Sequence, residues 1–318
     1  MSQMRVMVDA PPFPLDLMHT ILAPTGVLVD AHPRPWSGDD VVGLLVWNPV
    51  TASDMNRLPA LQVIATCSVG FDHIDAETAA KRGIWVCNVP DYGIEEMADS
   101  TLALLLALLR GVVALDRSVR SGDWDDHASG PLPRLRGTRL GIIGFGRIGR
   151  AVAARALAVG MEVWAADPVI AAGEMTSAGV TPAAPDDLLR SCAAVTLHMP
   201  LTKETKRMIG ERELALMPEG AFLVNTARAG LVDSAALMIA LESGHLGGAA
   251  LDVLDVEPPT GEQPAPVHPR LIVTPHAAWY SPRSEQEVYR RAALAVRALL
   301  EGTEPDGAVI RGKRPSVR

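Results

Sequence analysis

Arg139-Leu140-Gly141-Ile142-Ile143-Gly144-Phe145-Gly146-Arg147-Ile148-Gly149 passes from a short apolar stretch into three glycines spaced G-x-G-x-x-G, and residues 150–159 continue as strong helix formers. A strand, a glycine turn and a helix in that order open a dinucleotide-binding βαβ unit. Gly144 permits the tight turn, Gly146 lets a pyrophosphate approach the backbone, and Gly149 allows the helix to pack close to the strand. The first helical N–H groups, around Arg147 and Ile148, are left to hold phosphates. Asp167 ends the next expected strand, 161–166, and lies 18 positions after Gly149 (167 − 149). That is close to the offset of a carboxylate that accepts hydrogen bonds from the adenosine ribose. Such a carboxylate repels a ribose 2′-phosphate, and Pro168-Val169-Ile170 brings no arginine to neutralise one. The cofactor expected is therefore NAD, not NADP.

Outward from this motif the chain alternates short strands with helices, the pattern of an α/β protein with largely parallel sheets. Downstream strands are expected at 193–196, 222–225, 248–251 and 271–274, and upstream ones at 4–8, 41–47, 62–66 and 85–88, with a helix at 75–82. Residues 94–109 combine acidic residues in the first turn with Arg110 at the end, which complements a helix dipole. Residues 121–136, rich in Gly, Pro, Asp and Arg, read as irregular chain. A last helix at 284–301 lies beyond the final strand and is available to return to the first domain.

Bulk properties agree with a two-domain globular protein. The chain has 318 residues, 48% of them hydrophobic and 21% charged, enough apolar material for two cores and too much for extensive disorder. A net charge of −8 removes any broad attraction to nucleic acid or to an anionic membrane. The basic tail 311–318 is read as a solvated terminus. Cys67, Cys87 and Cys192 have no CxxC spacing, which argues against disulfides and against a metal site and fits buried thiols in a reducing compartment. The N-terminus runs straight into a strand pattern without the features of a signal peptide, and residues 102–109 are too few to cross a bilayer. A cytoplasmic location is expected.

Three polar residues fall just beyond strand ends, where open α/β sheets place their ligands. Arg228 follows Asn225-Thr226-Ala227 and can fork onto a carboxylate. His276 follows Thr274-Pro275 and is a natural proton donor to a carbonyl oxygen being reduced. Glu257 can hydrogen-bond that imidazole and stabilise its protonated form. Asp255, two residues away, is not excluded by spacing. His73 reads as structural, and His198 as lining the cofactor loop.

Gly144-Phe145-Gly146-Arg147-Ile148-Gly149, Asn225-Thr226-Ala227-Arg228, Ala250-Leu251-Asp252-Val253 with Glu257-Pro258, and Thr274-Pro275-His276 together resemble the D-isomer-specific 2-hydroxyacid dehydrogenases over nearly the whole chain. The resemblance implies that Arg228 holds the substrate carboxylate and polarises the carbonyl, that His276 is the acid/base, and that Glu257 orients His276. It also implies that Asp252 meets the nicotinamide carboxamide, and that Thr226 and Ala227 contact cofactor, as do His198, Pro200 and Thr205. The Ser68-Val69-Gly70 backbone would serve a small 2-oxo or 2-hydroxy acid. The architecture expected is two Rossmann-like domains with a cleft between them: a parallel-sheet NAD-binding domain at 99–285, and a flavodoxin-like substrate domain built from 1–98 and 286–318. A homodimer through the NAD-binding domain goes with it.

Within the family, Thr274-Pro275-His276-Ala277-Ala278-Trp279-Tyr280-Ser281 is most similar to the C-terminal-binding proteins, dehydrogenase-fold corepressors. That likeness makes Trp279 a candidate for the substrate pocket, with simple packing as its other role. Where those corepressors carry a substrate-facing arginine this chain has Thr66. Thr66 and Trp47 together point to an uncharged, partly aromatic pocket. Two other functions remain open on the same fold, an NADH-sensing corepressor-like protein and a phosphite-oxidising dehydrogenase.

Overall fold

The computed structural model describes residues 3–9 and 14–313; the end of the basic tail, 314–318, lies outside the described residues. The strands in chain order are β1 (Arg5–Val8), β2 (Leu28–Ala31), β3 (Val41–Val46), β4 (Val63–Thr66), β5 (Trp85–Cys87), β6 (Arg139–Ile143), β7 (Glu162–Ala166), β8 (Thr181–Pro182), β9 (Ala194–Leu197), β10 (Ala221–Asn225), β11 (Leu246–Leu251), β12 (Leu271–Val273) and β13 (Ala308–Ile310). The chain folds into two compact units, Met1–Tyr92 with Ser281–Arg318, and Gly93–Tyr280.

In the first unit the sheet order is β13-β5-β4-β3-β1-β2. The run β2-β1-β3-β4-β5 is parallel and has the flavodoxin-like order, and β13 adds antiparallel to β5. β3 and β4 are buried at every residue, as strands with both faces covered must be. The helix Pro282–Leu300 buries Val288, Tyr289, Ala292, Val296 and Leu299 at helical spacing and packs on β3 and β4. This is the expected return of the last helix.

The second unit carries an all-parallel sheet, β12-β11-β10-β9-β6-β7-β8. Counted from β6 this is the Rossmann order 3-2-1-4-5-6 with one further strand, and the strand order reverses between β6 and β9. Ile94–Leu109 and Arg147–Ala158 pack together over this sheet through a core that includes Ala98, Leu105, Leu109, Val152 and Ala156. At its rim Arg155 pairs with Glu95 and Asp99, both at 2.6 Å. The boundaries expected at 98/99 and 285/286 would have cut the helices Ile94–Leu109 and Pro282–Leu300. Each helix instead stays whole with the sheet that buries its apolar face.

Several elements go beyond the sequence reading, the helix Ala52–Asn56 and the strand β8 among them. The edge strand β2, with Leu28 half exposed, and the short β13 carry too little apolar alternation to announce themselves. Leu15–Leu22 buries only Met18 and Leu22. Val112–Arg120 has no buried residue and is separated from the preceding helix by Gly111 at φ +60°. Among the described residues no single helix is long and apolar enough to cross a membrane; Ile94–Leu109 and Val112–Arg120 reach that length only jointly, with a bend of 59°.

Candidate active site

The glycine turn after β6 has the geometry its spacing implies. Gly144 sits at φ +95°, and a Cβ there would lie 2.5 Å from the His198 carbonyl oxygen, so only glycine lets the β6 and β9 loops meet. A Cβ on Gly149 would collide with the Gly144 carbonyl, whereas one on Gly146 would meet nothing within 4 Å. The open space therefore lies at Gly146, the N-cap of Arg147–Ala158, which has no capping side chain. Its first-turn N–H groups are left for an anion. Arg147 is exposed and Ile148 half-buried.

Asp167 closes the other side of this turn. One carboxylate oxygen accepts the Phe145 N–H at 2.8 Å; the other accepts those of Val169 and Ile170 at 2.8 and 3.1 Å. Burial pushes its pKa up, but these backbone donors and the nearby Arg150 outweigh that and hold the carboxyl below its usual range. A cavity of about 250 Å3 adjoins it, lined by Ile170, Met175, Pro182 and Ala183 among others. In the β9 loop, burial drives the His198 imidazole down to about 3, so it stays neutral, bonded to Thr196 Oγ1 at 3.0 Å. Thr205 Oγ1 donates to the Pro200 carbonyl at 2.7 Å and shapes the same loop. The Thr226 hydroxyl meets Thr101 Oγ1 at 2.9 Å. Thr101 spends its own proton on the Met97 carbonyl, so Thr226 donates into the helix Ile94–Leu109. Only its backbone is left to face a cofactor.

His276, Glu257 and the charge of Arg228 come together beyond the ends of β10, β11 and β12. His276 Nδ1 lies 2.6 Å from Glu257 Oε2, while Glu257 Oε1 accepts the Leu254 N–H at 2.6 Å. Burial raises the Glu257 pKa, but the His276 hydrogen bond, the Leu254 N–H and the charges of His276 and Arg228 carry it below the ordinary glutamate value. An ionised carboxylate only accepts, so Nδ1 carries a hydrogen and Nε2 is the nitrogen that exchanges a proton. Asp255 is resolved in the same view: it takes the Ser234 hydroxyl at 2.5 Å.

Residues that the sequence did not single out for this task hold the pair of loops. Asn225 is fully buried; its Oδ1 accepts the Ala227 N–H at 3.0 Å and its Nδ2 donates to the Arg228 carbonyl at 2.8 Å. His276 adopts a left-handed φ of 54°, unusual for a residue with a side chain. The turn is secured by Asp252, 1% exposed, whose oxygens accept Thr274 Oγ1 at 2.5 Å and the Ala277 and Ala278 N–H groups at 2.9 and 2.8 Å. The Trp279 indole N–H donates to the His276 carbonyl at 2.9 Å. Asp252 and Trp279 thus hold the histidine turn.

The sequence model for the NAD-binding domain of D-isomer-specific 2-hydroxyacid dehydrogenases matches residues 102–278, the span that contains the glycine turn, Asp167, Arg228, Glu257 and His276. The chain belongs to the D-isomer-specific 2-hydroxyacid dehydrogenase family. It is 36% identical over 281 residues to a glyoxylate reductase of Thermofilum pendens, covering 85% of this chain and 81% of the relative. A glycerate dehydrogenase of Methylorubrum extorquens is 38% identical over 262 residues, 80% and 81% of the two chains. Among solved structures, D-lactate dehydrogenase from Aquifex aeolicus complexed with NAD and lactic acid overlays at TM-score 0.84, with 29% identity over 93% of this chain and 96% of its own. The NADPH-dependent glyoxylate/hydroxypyruvate reductase from Sinorhizobium meliloti, in complex with NADP and malonate, reaches 0.86 at 27% identity over 99% and 100%. This member of the 2-hydroxyacid dehydrogenase family is an oxidoreductase acting on 2-hydroxy acids with NAD or NADP.

The first unit of the dehydrogenase contains the Ser68-Val69-Gly70 loop, directly after β4. Every carbonyl of the loop is turned inward: Ser68 O accepts the Val89 N–H at 3.0 Å, Val69 O accepts Asn88 Nδ2 at 2.5 Å, and Gly70 O accepts the Ser68 hydroxyl at 2.5 Å. Among the described residues the N–H groups of Ser68, Val69 and Gly70 have no acceptor. Thr66 does not serve the pocket expected of it, because it is fully buried with its hydroxyl turned to Ser68 and His73. Trp47 packs edge-on against Tyr289, centroids 6.2 Å apart, with its indole N–H on the tyrosine oxygen at 3.3 Å.

Proposed function

We propose that this protein is an NAD-dependent D-2-hydroxyacid dehydrogenase that reduces small 2-oxo acids, and the 2.6 Å His276–Glu257 bond beside the Arg228 charge is the observation that carries the reading. Bound NADH would supply the hydride. The residues suited to hold it are Gly144, Gly146, Arg147, Ile148 and Gly149 at the pyrophosphate and Asp167 at the adenosine ribose, with the His198–Thr205 loop, Ala227 and the Thr226 backbone along its length. The open space at Gly146 and the uncapped helix start support that fit.

The chain's own groups divide the remaining work. Arg228 binds the substrate carboxylate and draws the carbonyl electrons toward oxygen. His276 Nε2 gives its proton to that oxygen as the carbonyl becomes a hydroxyl, and takes it back in oxidation. Glu257 keeps Nδ1–H in place and opposes the imidazolium charge with its own. Taken by itself, the 68–70 loop has N–H groups suited to a substrate carboxylate, and Trp279 is suited to meet the remainder of a substrate. The likeness of Thr274–Ser281 to the C-terminal-binding-protein-like branch is read as a likeness of this histidine turn, without a corepressor role.

Asp167 favours NAD, and Arg150, whose charge acts on it, is paired with Glu174 at 2.8 Å. A panel of 2-oxo acids with NADH and NADPH, and phosphite with NAD, tests the whole reading. NADH is expected to exceed NADPH by about 10²-fold in kcat/KM, the equivalent of one unfavourable charge juxtaposition, and Asp167→Ala to narrow that ratio at least tenfold, roughly half of it in energy. Equal use of both cofactors would contradict the NAD assignment; NAD reduction by phosphite alone would replace the substrate class.

A homodimer through the NAD-binding unit completes the proposal. Val112–Arg120 leaves Val112 and Val119 more than half exposed, and Trp124 just beyond it is 93% exposed; an apolar surface of this kind is usually covered by a partner. The three free cysteines are buried, and burial raises the Cys87 and Cys192 thiols to about 12, in keeping with inert thiols in the cytoplasm.

A further inference from the structure

We propose that His73 is a positioning residue for the substrate loop 68–70, acting through a one-way chain of hydrogen bonds, His73 to Thr66 to Ser68 to the Gly70 carbonyl. The inference rests on the reading of that loop as the receiver of the substrate carboxylate.

The direction of the chain follows from counting protons. A carbonyl only accepts, so the single hydroxyl proton of Ser68 is spent on Gly70 O at 2.5 Å. Between Ser68 Oγ and Thr66 Oγ1, 2.8 Å apart, Thr66 must therefore be the donor. With its own proton committed, Thr66 can only accept at its other contact, His73 Nε2 at 2.9 Å. His73 Nε2 consequently carries a hydrogen, whichever protonation state the ring is in. Every link points the same way, and chains of this kind reinforce one another where water is excluded; Thr66 at the centre is fully buried.

The histidine end is itself pinned. His73 O accepts the Val50 N–H at 3.0 Å, and Val50 O accepts the Asp75 N–H at 2.9 Å. Asp75 caps the helix Ala76–Arg82 through the Thr78 N–H at 2.9 Å. The far end of the chain turns the Gly70 carbonyl inward, alongside those of Ser68 and Val69, and this orientation is what leaves the loop's N–H groups pointing elsewhere as a set. Losing the chain frees Gly70 O to rotate and disperses those donors, so the cost should fall on substrate binding and not on the cofactor or the proton transfer.

Two matched pairs of variants test this. Thr66→Val keeps the side-chain shape and deletes the hydroxyl, and Thr66→Ser restores it; His73→Ala deletes the donor, and His73→Gln returns an N–H at similar reach. KM for the best 2-oxo acid, kcat, the Kd for NADH and Tm are measured for each. Thr66→Val and His73→Ala are expected to raise KM about tenfold, the equilibrium value of one net hydrogen bond, with kcat changed less and NADH affinity unchanged. Thr66→Ser and His73→Gln should bring KM back toward wild type. An unchanged KM, or the same rise in Thr66→Ser as in Thr66→Val, overturns the inference while leaving the proposed function standing. Absence of turnover by the wild type on every 2-oxo acid overturns both. If Thr66→Val does not fold, the His73 pair reads the same chain with the same two outcomes.

Discussion

Replacing His276 by asparagine is expected to lower kcat for 2-oxo acid reduction by about 10³-fold, within the range that positioned acid–base groups contribute, while NADH binds as before. Asparagine is the better test because it tolerates the left-handed conformation at φ 54° more readily than alanine does, so the turn from Thr274 to Ala278 should keep its place. The expectation rests on the proton count at the ring. Nδ1 is occupied by Glu257, leaving Nε2 as the one group of this pair free to protonate a carbonyl oxygen. The His276 carbonyl is held by Trp279 and the flanking N–H groups by Asp252, so the loss should appear in the chemical step. Steady-state kinetics together with a fluorescence titration of NADH separates the two. A variant within tenfold of wild-type kcat would remove His276 from the mechanism.

Arg228→Ala is expected to reduce kcat/KM for the 2-oxo acid by about 10³-fold, comparable to breaking one desolvated charge pair, and Arg228→Lys to recover only part of it. The guanidinium is already positioned: its backbone carbonyl is fixed by Asn225 and its Nη1 donates to the Ala227 carbonyl at 2.8 Å. Lysine restores the charge but not the planar fork that grips a carboxylate with two bonds. Competition by a non-reacting dicarboxylate such as malonate should weaken in parallel with substrate binding in the alanine variant. Full activity in Arg228→Lys would show that charge alone is required and that the fork is not used.

The glycine turn and the strand-end residues were legible in the sequence because their signals are local. Gly144 and Gly149 each answer a steric demand within one turn while Gly146 leaves the helix start open, and Arg228 and His276 each follow a short apolar strand. Less legible were bonds between residues far apart in the chain. Asp252 anchors the histidine turn from 22 to 26 positions away, and Thr226 donates to Thr101 across 125; both pairings depend on strand and helix neighbours that no sequence spacing specifies. Glu257 and Asp255 are alike on paper, and only the loop's path assigns one to His276 and the other to Ser234. Thr66 was misread for a related reason. Its position suggested a pocket wall, but a hydroxyl at the end of a doubly covered strand finds partners inside the domain more readily than outside it. The edge strands β2 and β13 escaped because half-exposed strands carry little apolar pattern.

The most direct test of the account is the configuration and amount of product formed from a prochiral 2-oxo acid such as hydroxypyruvate with NADH, measured by chiral chromatography alongside cofactor consumption. One D-2-hydroxy acid formed for each NADH consumed is the predicted result; an L product, or no consumption of NADH with any 2-oxo acid, would contradict it.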